Sequence, residues 1–397
     1  MLRSERKMQG HPLVFLDNAS TTFKPDRVLE AMDRYYKEET CNSHRGDYDM
    51  SVVVDGRVAS ARKTVAKFLN ADPKEIVFTA GATASLNLVA YGYALKFLKE
   101  GDEILLTLAE HASNTLPWFR IAKLTGAKIR YIPLTEEGRV TVENVEKSLT
   151  PRTKLVSIAY VGNVLGFIAP IKEIARVVHA NGAVLSVDGA QSVPHMVTDV
   201  KDLDCDFLSF SGHKMCAPTG TGILYGKYEL LDQMDPFESG GGMNVKFYPE
   251  GEATLLPPPS RFEAGTMNVA GIYGLQAAIE YLMEIGMENI EAHERELKAY
   301  AVERFKQIPG VTVYNATSEA GIVAFNVDGV FAQDMATFLN SKGIACRSGL
   351  HCAKMLPLVI HTDATVRASF YLYTTKEDID VLVDAVKKGG NFLDAYF

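Results

Sequence analysis

Short apolar runs alternate with longer amphipathic stretches through the middle of the chain, and this alternation limits the possible folds. Examples are "EIVFTAG" followed by "ATASLNLVAYGYALKFL", and "TKLVSIAYV" followed by "PIKEIARVVHANG". Apolar strands that alternate with helices form a mainly parallel sheet covered by helices on both faces. The sequence therefore predicts an α/β fold, in which side chains at the carboxyl ends of the strands line the binding crevice.

The pattern changes after "RFEAGTMNVAGIYG". A long helical stretch is followed by the strands "GVTVYN" and "GIVAFNVDG" and by helices through "AQDMATFLNSKG" and "KEDIDVLVDAVKKG". A chain of 397 residues is long enough for two domains. We predict a large domain over residues 14–270 and a smaller α+β C-terminal domain over residues 271–397, joined by the N-terminal segment 1–13.

Composition excludes several classes of protein. Charged residues make up 23% and hydrophobic residues 47%, as in ordinary globular proteins, and the net charge of −8 argues against a nucleic-acid partner. No apolar run approaches the roughly 18–20 residues of a membrane helix, and the N-terminus has no secretory signal. The five cysteines are Cys41, Cys205, Cys216, Cys346 and Cys352. Their odd, sparse pattern, without zinc-site spacing, predicts a cytoplasmic protein with no metal centre.

Two polar side chains follow consecutive strands, Asp188 after "AVLSV" and Lys214 after "FLSFSGH". A pyridoxal 5′-phosphate (PLP) enzyme needs a lysine for a Schiff base, a carboxylate for the pyridinium nitrogen and a phosphate cup. The turn "TAGATASLN", with Ala82 and Thr83 at the start of a helix, supplies a cup of backbone N–H groups. The GxGxxG, P-loop and GxSxG motifs of other enzyme classes are absent from the sequence.

Four further side chains fit the same cofactor. Ser211 and His213 come just before Lys214 and add donors for a phosphate, His111 can lie against the cofactor ring, and Gln191 can reach the ring hydroxyl. Each signal alone is weak, because a strand-end aspartate is more often a helix cap and a loop lysine is more often solvated. Their shared position at strand ends favours a PLP site.

In this order the motifs resemble the class V branch of fold-type I PLP enzymes, and within it the Suf-type (group II) cysteine desulfurases. The resemblance rests on "FLDNASTTFKP", "HRG", "EHASNTLPW", "GNVLG", "SVDGAQSVPH", "DFLSFSGHKMCAPTGTGILYG", "FEAGTMN", "RSGLHCA" and "VRASFYLYTT", which cover nearly the whole chain. It implies an aspartate aminotransferase-like fold, with a mainly parallel seven-stranded sheet in the large domain and a smaller α+β domain.

The resemblance also implies roles for individual residues. Lys214 would hold the cofactor and shuttle protons. The implied cofactor contacts are Lys214, Asp188, Gln191, His111, Ala82, Thr83, Ser211, His213, Asn163 and Thr266. Thr266 would complete the phosphate site of the other subunit, so the resemblance implies a homodimer. The implied substrate contacts are Arg367, Asn163, His44 and Arg347.

The implied nucleophile is Cys352, in a loop after a strand. It would attack the sulfur of PLP-bound L-cysteine, leaving L-alanine and an enzyme persulfide for a sulfur carrier protein, in iron–sulfur cluster assembly or related metabolism. His351 and Arg347 are expected as cationic neighbours that favour the thiolate. Cys346, six positions earlier, is the second thiol to consider.

Five positions depart from the usual family pattern: Asp47, Tyr48, Ala82, Met267 and Leu350. They leave the partner, the rate and the substrate open. A selenocysteine lyase, or another class V lyase or aminotransferase, remains an alternative. A non-catalytic scaffold is disfavoured, because both Lys214 and Asp188 are present.

Overall fold

The structure, a computed structural model, describes residues 6–43 and 46–389. The predicted substrate contact His44 lies outside the described residues. In chain order the strands are β1 (Lys7–Met8), β2 (His11–Pro12), β3 (Val14–Phe15), β4 (Ile76–Thr79), β5 (Glu103–Leu106), β6 (Lys128–Tyr131), β7 (Thr153–Ala159), β8 (Val184–Asp188), β9 (Phe207–Ser211), β10 (Gly222–Gly226), β11 (Asn244–Phe247), β12 (Ala253–Leu255), β13 (Val311–Val313), β14 (Ile322–Val327), β15 (Ile344–Ala345), β16 (Arg347–Gly349) and β17 (Thr365–Ser369).

The helices cover the faces of these strands. In chain order they are α1 (Asp26–Glu38), α2 (Asp49–Leu69), α3 (Ala82–Leu88), α4 (Leu95–Phe97), α5 (Leu116–Thr125), α6 (Val142–Ser148), α7 (Ile171–Ala180), α8 (Val200–Leu203), α9 (Tyr228–Leu231), α10 (Val269–Ile285), α11 (Met287–Lys306), α12 (Ala332–Ser341), α13 (Pro357–Ile360) and α14 (Lys376–Val386). Within the described residues, none of them is long and apolar enough to cross a membrane.

The large sheet has seven strands in the order β4-β10-β9-β8-β7-β5-β6. Neighbours from β9 to β6 pair in parallel, whereas β10 is antiparallel to both β4 and β9. Helices bury both faces: Val58 and Leu275 pack on one side, and Val89 and Trp118 on the other. The predicted mainly parallel seven-stranded sheet is therefore confirmed.

A second, antiparallel sheet in the order β13-β14-β17-β16 packs against α11, α12 and α14. Its core contains Phe305, Phe338 and Val366, together with Val14 and Leu16 from the N-terminus. The N-terminal strand β3 also pairs in parallel with β15. The N-terminus thus belongs to the hydrophobic core of the C-terminal sheet, while the division at residues 270 and 271 stays a prediction.

The stretch predicted as one long helix is two helices. Gly286 lies between α10 and α11 with a φ of 88°, a left-handed conformation that glycine adopts without steric cost. The first helix packs on α1 and α2 beside the large sheet, and the second continues into the C-terminal unit. The break therefore turns the chain from one core to the other.

Candidate active site

A cavity of about 220 Å³ lies beyond the carboxyl ends of the parallel strands, between the two cores. Residues near the ends of β8, β9 and β17, the loop after β16 and the N-terminal segment line it. Twelve of the predicted site residues line this one cavity: Ala82, Thr83, His111, Asn163, Asp188, Gln191, Ser211, His213, Lys214, Arg347, Cys352 and Arg367.

Lys214 ends a short 3₁₀ turn that follows β9 directly. Burial lowers the pKa of its ammonium group to about 8, although the nearby Asp188 carboxylate acts in the opposite direction. A lysine with a lowered pKa carries more of the neutral amine near neutral pH, which is the form that attacks a carbonyl.

Asp188 is the last residue of β8 and is 6% exposed. Its Oδ1 accepts a hydrogen bond from the Ala190 backbone N–H at 3.0 Å. Among the described residues, no basic side chain lies within salt-bridge distance of it. A buried carboxylate that makes no direct salt bridge favours a ligand that brings its own positive charge into contact with it, as a protonated pyridine nitrogen does.

The start of α3 forms the anion end of the cavity. Ser211 Oγ accepts from the Ala82 N–H at 2.8 Å, and Thr83 Oγ1 hydrogen-bonds Ser113 Oγ at 2.7 Å. The turn before the helix lies so close to β10 that a Cβ on Gly222 would be 2.3 Å from Gly81 Cα. The free N–H groups and dipole of the helix therefore face a site bounded by small and hydroxyl side chains.

In both Gln191 and His111, a hydrogen bond to the backbone fixes the role of one polar side-chain atom. Gln191 Nε2 donates to the Ala19 carbonyl at 2.7 Å, while its buried Oε1 has no hydrogen-bond partner. Such an orphaned acceptor suits a ring hydroxyl that donates to it. His111 Nδ1 accepts from the Ser113 N–H at 3.1 Å, and burial together with Lys214 lowers its pKa. Its ring is therefore neutral, with the proton on Nε2.

The opposite wall of the cavity is cationic. The register of β16 and β17 places Arg347 directly opposite Arg367, although like charges repel in that position. Arg367 is 2% exposed, and its Nη2 donates to Asp17 Oδ1 at 3.1 Å and to Ser20 Oγ at 2.9 Å. Its Nη1 donates to the Asn163 carbonyl at 2.8 Å, and its buried Nε has no partner. One N–H of the Arg367 guanidinium thus has no hydrogen-bond partner among the described residues.

Cys352 lies in the loop after β16 and is the exposed cysteine of the chain. His351 and Cys352 both have left-handed backbones, with φ of 49° and 61°, which is costly for non-glycine residues and typical of functional loops. Two hydrogen bonds hold the loop: Asn163 Nδ2 donates to the His351 carbonyl at 2.7 Å, and the Ala112 N–H to the Cys352 carbonyl at 2.8 Å. The thiol is therefore accessible on an anchored backbone.

The sequence profile of the aminotransferase class-V family matches residues 14–382 of this chain. The chain belongs to the class-V aminotransferase family. It is 46% identical over 394 residues to a probable cysteine desulfurase of Halalkalibacterium halodurans, covering 99% of this chain and 97% of that protein. It is 42% identical to a probable cysteine desulfurase of Staphylococcus aureus, with coverage of 99% and 96%.

Solved structures of the family agree with this assignment. The cysteine desulfurase CsdA of Escherichia coli, in its S-sulfonic acid form, superposes with a TM-score of 0.89 at 39% identity, covering 95% of this chain and 94% of that one. The apo cysteine desulfurase of Thermococcus onnurineus NA1 gives a TM-score of 0.91 at 39% identity, with the same coverage. The family uses PLP as its cofactor, and the orphaned Gln191 Oε1 and the unpaired Asp188 carboxylate fit that group.

His351, which was expected to be a cationic neighbour of Cys352, is neutral. His351 is 5% exposed, its Nε2 hydrogen-bonds Thr365 Oγ1 at 2.9 Å, and burial next to Arg367 lowers its pKa to about 3. The prediction that His351 helps to ionise Cys352 is therefore wrong, because a buried imidazole beside an arginine stays neutral. Positive charge near the thiol comes from Lys214 and Arg367, which both interact electrostatically with Cys352.

Cys346 is poorly suited to act as a second reactive thiol. It packs against the core of the C-terminal sheet, and burial raises the pKa of its thiol well above the ordinary value. Thiolate formation is disfavoured there, and the thiolate is the reactive form. Thr266 is exposed and lines a different cavity, so this chain does not bring it to its own Lys214.

Three polar residues in or next to the cavity were not predicted from the sequence. Asp17 and Ser20 orient Arg367, although the sequence shows them only as part of a strand-end motif. Glu110, next to His111, is 3% exposed and accepts from Thr107 Oγ1 at 2.7 Å. Burial raises its pKa to about 8, so it is largely protonated at neutral pH. A sequence shows no sign of such burial.

Proposed function

We propose that this chain converts L-cysteine to L-alanine and keeps the sulfur atom as a persulfide on Cys352. The observation that carries the proposal is a single cavity lined by Lys214, Asp188, Arg367 and an exposed cysteine. A lysine and a carboxylate alone suit many PLP enzymes, but the thiol beside an arginine pair suits sulfur removal.

Each part of PLP has a matching group in the cavity. Lys214 would hold the cofactor covalently, Asp188 would pair with the ring nitrogen, and Gln191 Oε1 would accept from the ring hydroxyl. The neutral ring of His111 would lie against the cofactor. The phosphate would be bound by the start of α3 and by the side chains Thr83, Ser211 and His213. When bound, PLP supplies an electron sink for the substrate carbons.

The remaining residues bind L-cysteine and take its sulfur. The free N–H of Arg367, with Arg347 and Asn163, would hold the substrate carboxylate. The Cys352 thiolate would attack the substrate sulfur, so that an S–S bond forms while the carbon–sulfur bond breaks. The electron pair of the broken bond stays with the substrate carbon, and Lys214 delivers the proton that completes L-alanine. No external oxidant is needed, because the oxidation of the transferred sulfur to the persulfide level is balanced by reduction of the substrate carbon, which keeps the electron pair of the broken carbon–sulfur bond.

We infer two partners for this reaction. Thr266, exposed and remote from its own Lys214, would contact the cofactor phosphate of a second copy, so the working form would be a homodimer. The exposed position of Cys352 would let a thiol of a sulfur carrier protein reach the persulfide. The five cysteines are unpaired, which supports the predicted cytoplasmic location.

The test is incubation of the PLP-loaded protein with L-cysteine. We expect L-alanine and, with an added thiol reductant, sulfide in equal amounts. Without the reductant, the intact protein should gain the mass of one sulfur atom, mapped to the peptide that contains Cys352. Alanine without an added sulfur on the protein would contradict the persulfide, and release of pyruvate would indicate a lyase instead.

A further inference from the structure

The segment of residues 21–24, "TTFK", contacts the loop that carries Lys214. The carbonyl oxygen of His213 lies within hydrogen-bond distance of four donors in this segment. They are Lys24 Nζ at 3.0 Å, Thr22 N at 3.1 Å, Thr21 Oγ1 at 3.1 Å and Thr22 Oγ1 at 3.2 Å. A carbonyl oxygen has two lone pairs, so four donors are more than it needs to be fully hydrogen-bonded. They hold the peptide bond between His213 and Lys214 in place.

The same segment holds the other side of the lysine. The backbone N–H of Cys216 donates to Thr22 Oγ1 at 2.9 Å. Cys216 has a φ of 64°, a left-handed conformation that is unfavourable for a residue with a side chain. The carbonyl before Lys214 and the amide two residues after it are thus both tied to residues 21–24.

Lys24 is the unusual member of this segment. Besides the His213 carbonyl, its Nζ donates to the Thr22 carbonyl at 2.5 Å, and no acidic side chain of residues 6–43 or 46–389 forms a salt bridge with it. Burial lowers its pKa to about 8. A partly buried lysine normally pairs with a carboxylate or extends into water. Here its ammonium group donates to two backbone carbonyls, one of which directly precedes Lys214.

We propose that Lys24 is a positioning residue that fixes the peptide before Lys214 and so aims the amine of Lys214, and the side chain of His213, into the cavity. The proposal rests on the proposed function, because it takes Lys214 as the residue that holds PLP. It predicts a local effect on the Lys214 loop, which a lysine that only stabilises the fold would not have.

The test uses the full-length apoprotein and PLP alone, with the variant Lys24→Met, which keeps the aliphatic stem and removes the ammonium group. The control is Lys154→Met, because Lys154 also donates to a backbone carbonyl, that of Pro151 at 3.1 Å, away from the cavity. Hydrogen–deuterium exchange of the apoprotein should be faster over residues 212–217 in Lys24→Met and unchanged there in Lys154→Met.

Binding of PLP gives the second readout. Loss of a charged hydrogen bond should weaken PLP binding about tenfold in Lys24→Met, and Lys24→Arg should recover part of the loss. The pH midpoint of the visible absorbance of the bound cofactor should also move, since the environment of the Lys214 amine changes. Lys154→Met should match the wild type in both measurements.

Several outcomes would overturn the inference. One is unchanged exchange and PLP affinity in Lys24→Met; another is faster exchange spread evenly over the chain. If Lys24→Met does not fold, Lys24→Gln keeps a polar side chain but removes the charge and shortens its reach toward the His213 carbonyl, and it should give a smaller shift in the same direction. No shift would refute the proposal. Wild-type protein that takes up no PLP would instead count against the proposed function, while exchange over residues 212–217 would still decide the role of Lys24.

Discussion

The two halves of the cavity are built differently. The half around Lys214 and Asp188 consists of side chains at the ends of adjacent strands in the buried large sheet. The half around Cys352 consists of an exposed loop with two left-handed residues, facing arginines from the C-terminal sheet. The first half is held by sheet hydrogen bonds, and the second by a few contacts from neighbouring loops.

This difference matches what the two halves are proposed to do. A covalently held cofactor needs fixed partners, and strand ends supply them with little conformational freedom. A persulfide must be formed inside the cavity and then offered to another protein, so its cysteine must be reachable from solvent. The comparison predicts that changes in the first half affect cofactor binding, and that changes in the second half leave the cofactor bound.

The largest effects should come from Lys214 and Cys352, the two residues proposed to form covalent bonds during the reaction. Lys214→Ala should lose both the visible absorbance of bound PLP and alanine formation, because the neutral amine is gone. Cys352→Ser should keep that absorbance but form no persulfide and almost no alanine, since a serine hydroxyl is un-ionised near neutral pH. Absorbance spectra, alanine assays and intact mass check both variants.

The control for Cys352→Ser is Cys41→Ser, which changes a partly buried thiol outside the cavity and should behave like the wild type. Alanine formation at the wild-type rate by Cys352→Ser would show that another group takes the sulfur. Loss of PLP from that variant would show that the two halves are not separable.

The next largest effect should come from Arg367→Lys. A single ammonium cannot replace the planar donors that contact Asn163, Asp17 and Ser20 while leaving one N–H free. KM for L-cysteine should rise roughly tenfold to a hundredfold, while PLP absorbance is unchanged. The matched control is Arg304→Lys, whose salt bridge to Asp380 lies in the helices of the C-terminal unit. An unchanged KM in Arg367→Lys would place the carboxylate elsewhere.

A smaller effect, on the pH dependence of PLP uptake, is expected in the half of the cavity around Lys214 and Asp188. Burial lowers the pKa of Lys214 to about 8, and the neutral amine that reacts with PLP increases as the pH rises. The rate of PLP uptake by the apoprotein should therefore increase about tenfold per pH unit below that value and level off above it. Stopped-flow absorbance measures the rate. A rise that continues to the pKa of about 10.4 of an ordinary lysine would show that burial has no such effect.

The smallest effect should come from Cys346→Ser. The thiol is packed beside the core of the C-terminal sheet and its pKa is raised, so persulfide formation and alanine release should match the wild type. The hydroxyl is poorly solvated there, and the free energy of unfolding should fall by roughly 1–2 kcal/mol. Chemical denaturation measures this loss. A sulfur atom found on Cys346 after turnover would contradict the assignment of Cys352 as the acceptor.

The sequence by itself determined the fold class and most of the cavity. Alternating strands and helices predict which residues end a strand, and the carboxyl ends of parallel strands meet at one edge of a sheet. Asp188, Ser211 and Lys214 therefore meet in the cavity as predicted. The motif around Cys352 likewise identified the thiol from its position in the chain.

Tertiary structure alone decided the charges and the contacts between distant segments. His351 is neutral and Glu110 protonated because of burial, which depends on the residues packed around them and not on their neighbours in sequence. Asp17 reaches Arg367, and Lys24 reaches the loop of Lys214, only because the N-terminal segment joins the C-terminal core and crosses the sheet edge. Residue spacing along the chain carries no information about such contacts, since each depends on how two separate segments pack together.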